Sequence, residues 1–321
     1  MPLEHEFKKS INKIGLSLLL FWSFMILFMF IQSEISIKLT EILSPKASYI
    51  VSDLMYGTAY FCAFFIPGCI LYAITKKARR NFSLLEPNLP KAIDTYAYIF
   101  ASVSIILTIA IINAELVSVF KYSEYSAEYL WQDNTTEPYQ IILSFITSAM
   151  IPSICEEFLF RGAIFSALMP YGKVPSIIIS SVLFGLMHQN AEQFLYATAA
   201  GLVLASIVWE TKSIWCGVLI HFFNNFIDLF KAELIKAFPK NISYPAFYFI
   251  EGAIFVLGIL SLAYLIIKKS KKTNKNEQED PISLKLTAKY FFSPTIILFI
   301  VLSLITMLMH IALSIINSVL I

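Results

Sequence analysis

Charge is what this chain has least of: Asp, Glu, Lys and Arg make up 14% of its 321 residues, against 58% hydrophobic. A water-soluble core does not need that much apolar sequence, and runs near twenty residues recur along the chain, with a mean hydropathy of +0.72. A run of about twenty apolar residues is what crosses the hydrocarbon core of a bilayer. These absences exclude a soluble globular domain and leave a polytopic membrane protein. No internal repeat is present, and the one polar, charge-dense linker covers 268–289. The four cysteines, Cys62, Cys69, Cys155 and Cys216, lack the spacing of a disulfide framework or a metal knuckle, and read as small core residues. A cleavage site is lacking too. Gln32-Ser33-Glu34-Ile35, after the first apolar run, has no small-residue signal, so that run is expected to be a retained helix.

Nine apolar runs are predicted to span: Ile14–Ile31, Leu54–Ile74, Tyr96–Ile112, Tyr139–Met169, Val174–His188, Phe194–Trp209, Ser213–Phe230, Ala246–Ile267 and Thr295–Ile321. The fold class expected is an all-α transmembrane bundle of about nine spans. It divides into helices 1–3 within 1–138, a core of four helices in 139–230, and two last helices in 231–321 joined by the charged linker. The fourth run would be about 46 Å long as a helix, more than a bilayer core, so it must protrude, tilt or bend. Pro152 is the expected kink.

The net charge of +2 says little, because what matters is where the charges lie. Basic clusters occupy 75–91 and 268–289, while 113–138 is acidic, with Glu115, Glu124, Glu128, Asp133 and Glu137. The positive-inside rule then puts the N-terminus in the cytoplasm and the C-terminus outside. The loop 231–245 runs against this, with Lys231, Lys236 and Lys240 facing only Glu233. Abundant Ile, Phe, Lys and Asn suggest an AT-rich bacterial genome, hence a bacterial plasma membrane.

Against this apolar background Cys155-Glu156-Glu157-Phe158-Leu159-Phe160-Arg161 stands out. An ionisable group at membrane depth costs about 2.5–3.5 kcal/mol on insertion scales and marks a functional site with partners. Glu157 and Arg161 are four apart and share a helix face; Glu156 lies about 100° round from Glu157 and can face elsewhere. Phe184 and His188 repeat the spacing of four, as do His221 and Asn225. Counted along their helices, Glu156, His188 and His221 all fall mid-membrane. Each feature alone has a plainer reading: a structural ion pair, a core histidine (as His310 is read), an interhelical amide. Their co-occurrence supplies acid–base capacity that packing does not need.

Glu156-Glu157-x-x-x-Arg161, Phe184-x-x-x-His188 and His221-x-x-x-Asn225, in this order, resemble the three-motif signature of the CAAX-protease and bacteriocin-processing (CPBP, or Abi) intramembrane proteases. The resemblance covers about 139–230 and implies an intramembrane endopeptidase. Glu156 and His188 would activate a water, with Glu156 or Glu157 as base. His221 and Asn225 would form the oxyanion hole, and Arg161 would hold Glu157 with Phe184 as packing support. All four of Glu156, His188, His221 and Asn225 are then expected in one cavity. The cofactor expected is none or a single zinc ion on Glu156, His188 and His221; there is no His-Glu-x-x-His helix. The partners expected are a peptide or membrane-protein substrate and the bilayer, with no nucleic acid. Two other readings use the same residues: a proton-coupled transporter, which should show inverted repeats that are not seen, and a non-catalytic immunity or scaffold protein.

Overall fold

The computed structural model describes residues 2–79, 84–86, 88–119, 137–271 and 280–320. Glu124, Glu128 and Asp133 of the acidic loop and residues 272–279 of the charged linker lie outside them. Every regular element among the described residues is a helix. In order these are α1 Pro2–Ile42, α2 Pro45–Ile74, α3 Ala92–Val119, α4 Pro138–Tyr171, α5 Lys173–Met187, α6 Ala191–Thr211, α7 Ile214–Ala237, α8 Lys240–Ser270, α9 Leu284–Phe291 and α10 Pro294–Leu320, with a single turn at Lys76–Arg79. The chain is an all-α integral membrane bundle.

Local chemistry sets several of the boundaries. Ser44 caps α2, its hydroxyl accepting the Ala47 N–H, and Pro45 stands at the first helical position, where its missing N–H costs nothing. Asn190 caps α6 and Ser213 caps α7 in the same way. Most of the helices run past the apolar stretches expected from hydropathy. α1 alone has 41 residues, because helical hydrogen bonding does not stop where the lipid does.

Among the described residues seven helices are long and apolar enough to cross a membrane: α1, α2, α3, α4, α6, α8 and α10. The two runs that complete the expected nine differ in kind. Val174–His188 is α5, whose 15 residues reach only about 22 Å, short of a hydrocarbon core. Ser213–Phe230 lies in the 24-residue α7, which carries too many polar side chains to rank with the seven, among them His221, Asn224, Asn225 and Asp228. Both are largely buried against their neighbours, and on α7 His221 and Asn224 face protein whereas Asp228 is exposed.

α4 is one continuous rod with two π-helical stretches, Phe145–Met150 and Phe158–Phe165. Pro152 follows closely on the first stretch, so the residue with no N–H sits where the helix changes from π to α hydrogen bonding. Two buried clusters meet along α4 and α5. One gathers α1, α2, α4, α5 and α10 around Phe21, Phe64, Phe160 and Leu183; the other gathers α3, α6, α7 and α8 around Val103, Leu204, Ile220 and Phe247. Two apolar readings fail. Cys69 is exposed on α2 and His310 on α10, so neither is a core residue. A lipid-facing surface is as apolar as a core, and hydropathy does not tell them apart.

Gly172 turns the chain between α4 and α5 at φ 129°, a conformation that disfavours any residue with a Cβ. Asp280 fills the space beside it and accepts the N–H groups of Lys173 at 2.6 Å and Val174 at 2.8 Å. A distant carboxylate thus caps the start of α5, and Ile282 N–H bonds to Tyr171 O at 3.1 Å beside it. Replacing Asp280 by Ala should lower stability by about 1–2 kcal/mol, seen as a reduced unfolding temperature in detergent, with Asp280→Asn intermediate.

Candidate active site

The Glu157 carboxylate is completely buried, and so is Arg161. Arg161 Nη1 donates to Glu157 Oε1 at 2.9 Å, the contact that a spacing of four on α4 provides. The same Oε1 lies 3.2 Å from His221 Nδ1 on α7. An ionised carboxylate only accepts, so Nδ1 carries the proton of that bond. Arg161 Nη2 donates to the Gly201 carbonyl of α6 at 3.1 Å, and its guanidinium sits 4.5 Å from the Phe184 ring centroid of α5. One ion pair therefore touches all four helices of the core.

Glycine makes this approach possible. A Cβ on Gly217 would lie 2.7 Å from Glu157 Oε2, and one on Gly185 2.0 Å from Thr198 Oγ1 between α5 and α6. Neither gap admits a methyl group.

Glu156 points elsewhere, as its place on the helix requires. It is 4% exposed; its Oε1 accepts the Tyr60 hydroxyl of α2, and its Oε2 has no hydrogen-bond partner. His221 Nε2 stands 3.9 Å from that oxygen, beyond hydrogen-bond reach. The two adjacent carboxylates thus have different partners, Arg161 and His221 on Oε1 of Glu157 and a tyrosine hydroxyl on Oε1 of Glu156, while the Oε2 atom of each is buried without a hydrogen bond.

His188 closes α5. Its Nδ1 lies 2.9 Å from the Phe184 carbonyl, an acceptor, so Nδ1 holds the proton and Nε2 keeps a lone pair. Phe184 packs edge-on against both histidine rings, with centroids 5.0 Å from His188 and 5.9 Å from His221. Beyond His188 the backbone leaves the helix at Gln189, φ 52°. Irregular backbone at membrane depth is tolerated where it lines a cavity, and His188 does.

That cavity measures ≈ 50 Å³ and is walled by His188, His221, Asn224, Asn225 and Tyr196 with apolar residues including Ile106 of α3. It exceeds the roughly 10–15 Å³ that one water needs. Asn225 Oδ1 lies 3.4 Å from Asn224 Nδ2, and Asn224 pairs with the Tyr196 hydroxyl at 2.9 and 3.1 Å. With its oxygen occupied, Asn225 presents its NH₂. His188, His221 and Asn225 share this cavity, whereas Glu156 is not among its lining residues and meets it through His221.

Two participants escape the sequence reading, Tyr60 and Tyr196. A tyrosine in an apolar run looks like any other packing aromatic, and nothing local marks its partner. Asn224 carried the one usable signal, an amide at membrane depth. Among the described residues no three His, Cys, Asp or Glu side chains form a set able to hold a metal ion. Glu156, His188 and His221, as placed, do not fit one zinc.

Truncating Arg161 to Ala would strand the buried Glu157 charge. A loss of about 3–5 kcal/mol is expected, read from detergent unfolding, with Gly217→Val harmful for the neighbouring steric reason.

Comparison with known proteins bears on the same segment. Residues 138–227 match the family described as "Type II CAAX prenyl endopeptidase Rce1-like". The curated protein "Putative membrane peptidase YdiL" of Bacillus subtilis (strain 168) is 34% identical over 103 residues, which is 31% of this chain and 41% of that protein. The chain therefore spans about two-fifths of the relative's length. No solved structure matches. The motif residues gathered on α4, α5 and α7 all fall within this matched segment, so the similarity to CAAX-type membrane endopeptidases is a similarity of residues 138–227.

Proposed function

We propose that the protein is an intramembrane endopeptidase in which Glu156 is the base that activates water. The observation that carries this reading is the buried, unpartnered Oε2 of Glu156 beside His221, at the edge of a cavity lined by His188 and Asn225. A carboxylate removed from water and left one free oxygen is prepared to accept a proton. His188, with its Nε2 lone pair, would receive one hydrogen of the attacking water and aim its oxygen.

The steps balance simply. The water oxygen bonds to the scissile carbonyl carbon while Glu156 takes a proton from it. The carbonyl oxygen becomes an oxyanion, to which the Asn225 NH₂ donates. His221 donates from Nε2 as an imidazolium, its Nδ1–H being held by Glu157. The C–N bond then breaks, Glu156 returns the proton to the leaving nitrogen, and a carboxylic acid and an amine depart, the acid's proton passing to the amine once they reach water. Two carboxylates, Arg161 and a charged His221 sum to zero, which suits a site shielded from water. In this scheme Glu157 holds the oxyanion donor, and Glu156 alone is the base.

The reaction takes no step through a metal. Its substrate would be a peptide or a membrane-protein tail reaching the site from the bilayer or the cytoplasm, the side on which the N-terminus is placed by the basic loops, in a bacterial plasma membrane.

Comparing peptide termini in cells carrying wild type or Glu156→Gln tests the reading: a set of termini should vanish in the variant, and identical sets would refute it. With a peptide so identified, Asn225→Ala should reduce kcat about 10²–10³-fold, the usual loss for one oxyanion donor. Cleavage should also survive a chelator; activity lost to the chelator and restored by zinc would put a metal in the mechanism.

A further inference from the structure

We infer that Tyr60, on α2 and outside the segment 138–227, is a positioning residue of the site, selecting which oxygen of Glu156 is left free to meet water. This rests on the peptidase reading above. The Tyr60 hydroxyl donates to Oε1 of Glu156 and leaves Oε2 buried without a partner on the His221 side. A carboxylate with no such donor could rotate and present either oxygen; one bonded through Oε1 is held in a single orientation.

The geometry that fixes Tyr60 is itself over-determined. Its ring stacks on Phe64 at 4.6 Å, and Phe64 packs on Phe21 of α1 at 4.7 Å, with Phe21 and Phe64 both buried. Two glycines of α2 flank it in sequence and bring the helices together. A Cβ on Gly57 would come within 3.2 Å of Ile151 and 3.3 Å of Thr147, and one on Gly68 within 2.8 Å of Phe158. The close approach on either side of Tyr60 sets its height along α4, level with Glu156. Ordinary helix–helix adhesion would need no bond to a buried carboxylate whose second oxygen stands beside His221.

The experiment uses the full chain in detergent or proteoliposomes, with an internally quenched peptide built on termini that disappear in Glu156→Gln cells. Tyr60→Phe keeps the ring and its stacking. Its kcat should fall roughly 10- to 100-fold, the factor expected from losing a hydrogen bond to a charged group, with KM within about twofold and the variant still folded at the assay temperature. Tyr56→Phe, one turn away, should behave as wild type, and Tyr60→Phe added to Glu156→Gln should cost nothing further. Wild-type kcat in Tyr60→Phe, or a loss carried by KM with kcat unchanged, would overturn the inference. If Glu156→Gln itself cleaves normally, the peptidase reading falls and this one with it. If Glu156→Gln is inactive while Tyr60→Phe is fully active, only the role of Tyr60 falls.

Discussion

A charge inside hydrocarbon must be paired, and the buried Glu157–Arg161 contact is where this structure meets that requirement. The consequences spread outward from it. Glu157 also takes the Nδ1 proton of His221, so α7 is oriented by α4. Arg161 reaches the Gly201 carbonyl and the face of Phe184, which ties α6 and α5 to the same point. Gly217 exists at its position because any larger residue would collide with the carboxylate. Replacing the pair by apolar side chains would keep the helices packed but leave the His221 Nδ1–H without its acceptor and the ring without a fixed direction.

The second constraint is length. α5 is too short to cross a bilayer, and this places His188 where the site needs it. A helix of full length would carry that residue on past the cavity. By stopping at Met187 the chain exposes His188 at the helix end, gives its Nδ1 to the Phe184 carbonyl and turns back through Gln189 and Asn190 into α6. The far end of α5 is anchored by Asp280, a residue brought from the other side of the charged linker. His188 is thus held at one end of a strut whose other end is capped from a distant part of the sequence.

The site also reaches beyond the segment that matches known proteins. Tyr60 of α2 bonds to Glu156, and Ile106 of α3 lines the cavity. Helices that the motif pattern leaves aside therefore form part of the wall and hold one of the groups. Motifs record the side chains chemistry uses, while the residues that aim them have no fixed spacing relative to those motifs.

Much was legible in the sequence because the physics there is local. Low charge and apolar runs determine a membrane bundle, a spacing of four determines that Glu157 meets Arg161 and that Phe184 lies under His188, and the step of 100° between adjacent residues sends Glu156 and Glu157 to different environments. What only the tertiary structure decided depends on contacts between residues far apart in the chain. Hydropathy cannot separate an apolar face turned to lipid from one turned to protein, so it misassigned Cys69 and His310. It could not tell that Tyr60 would find Glu156, that Tyr196 and Asn224 would orient Asn225, or that the cavity would take in His188, His221 and Asn225 and leave Glu156 at its edge. Those outcomes follow from how closely glycines let helices approach and from which buried polar atoms must find partners. Both are properties of the packed bundle.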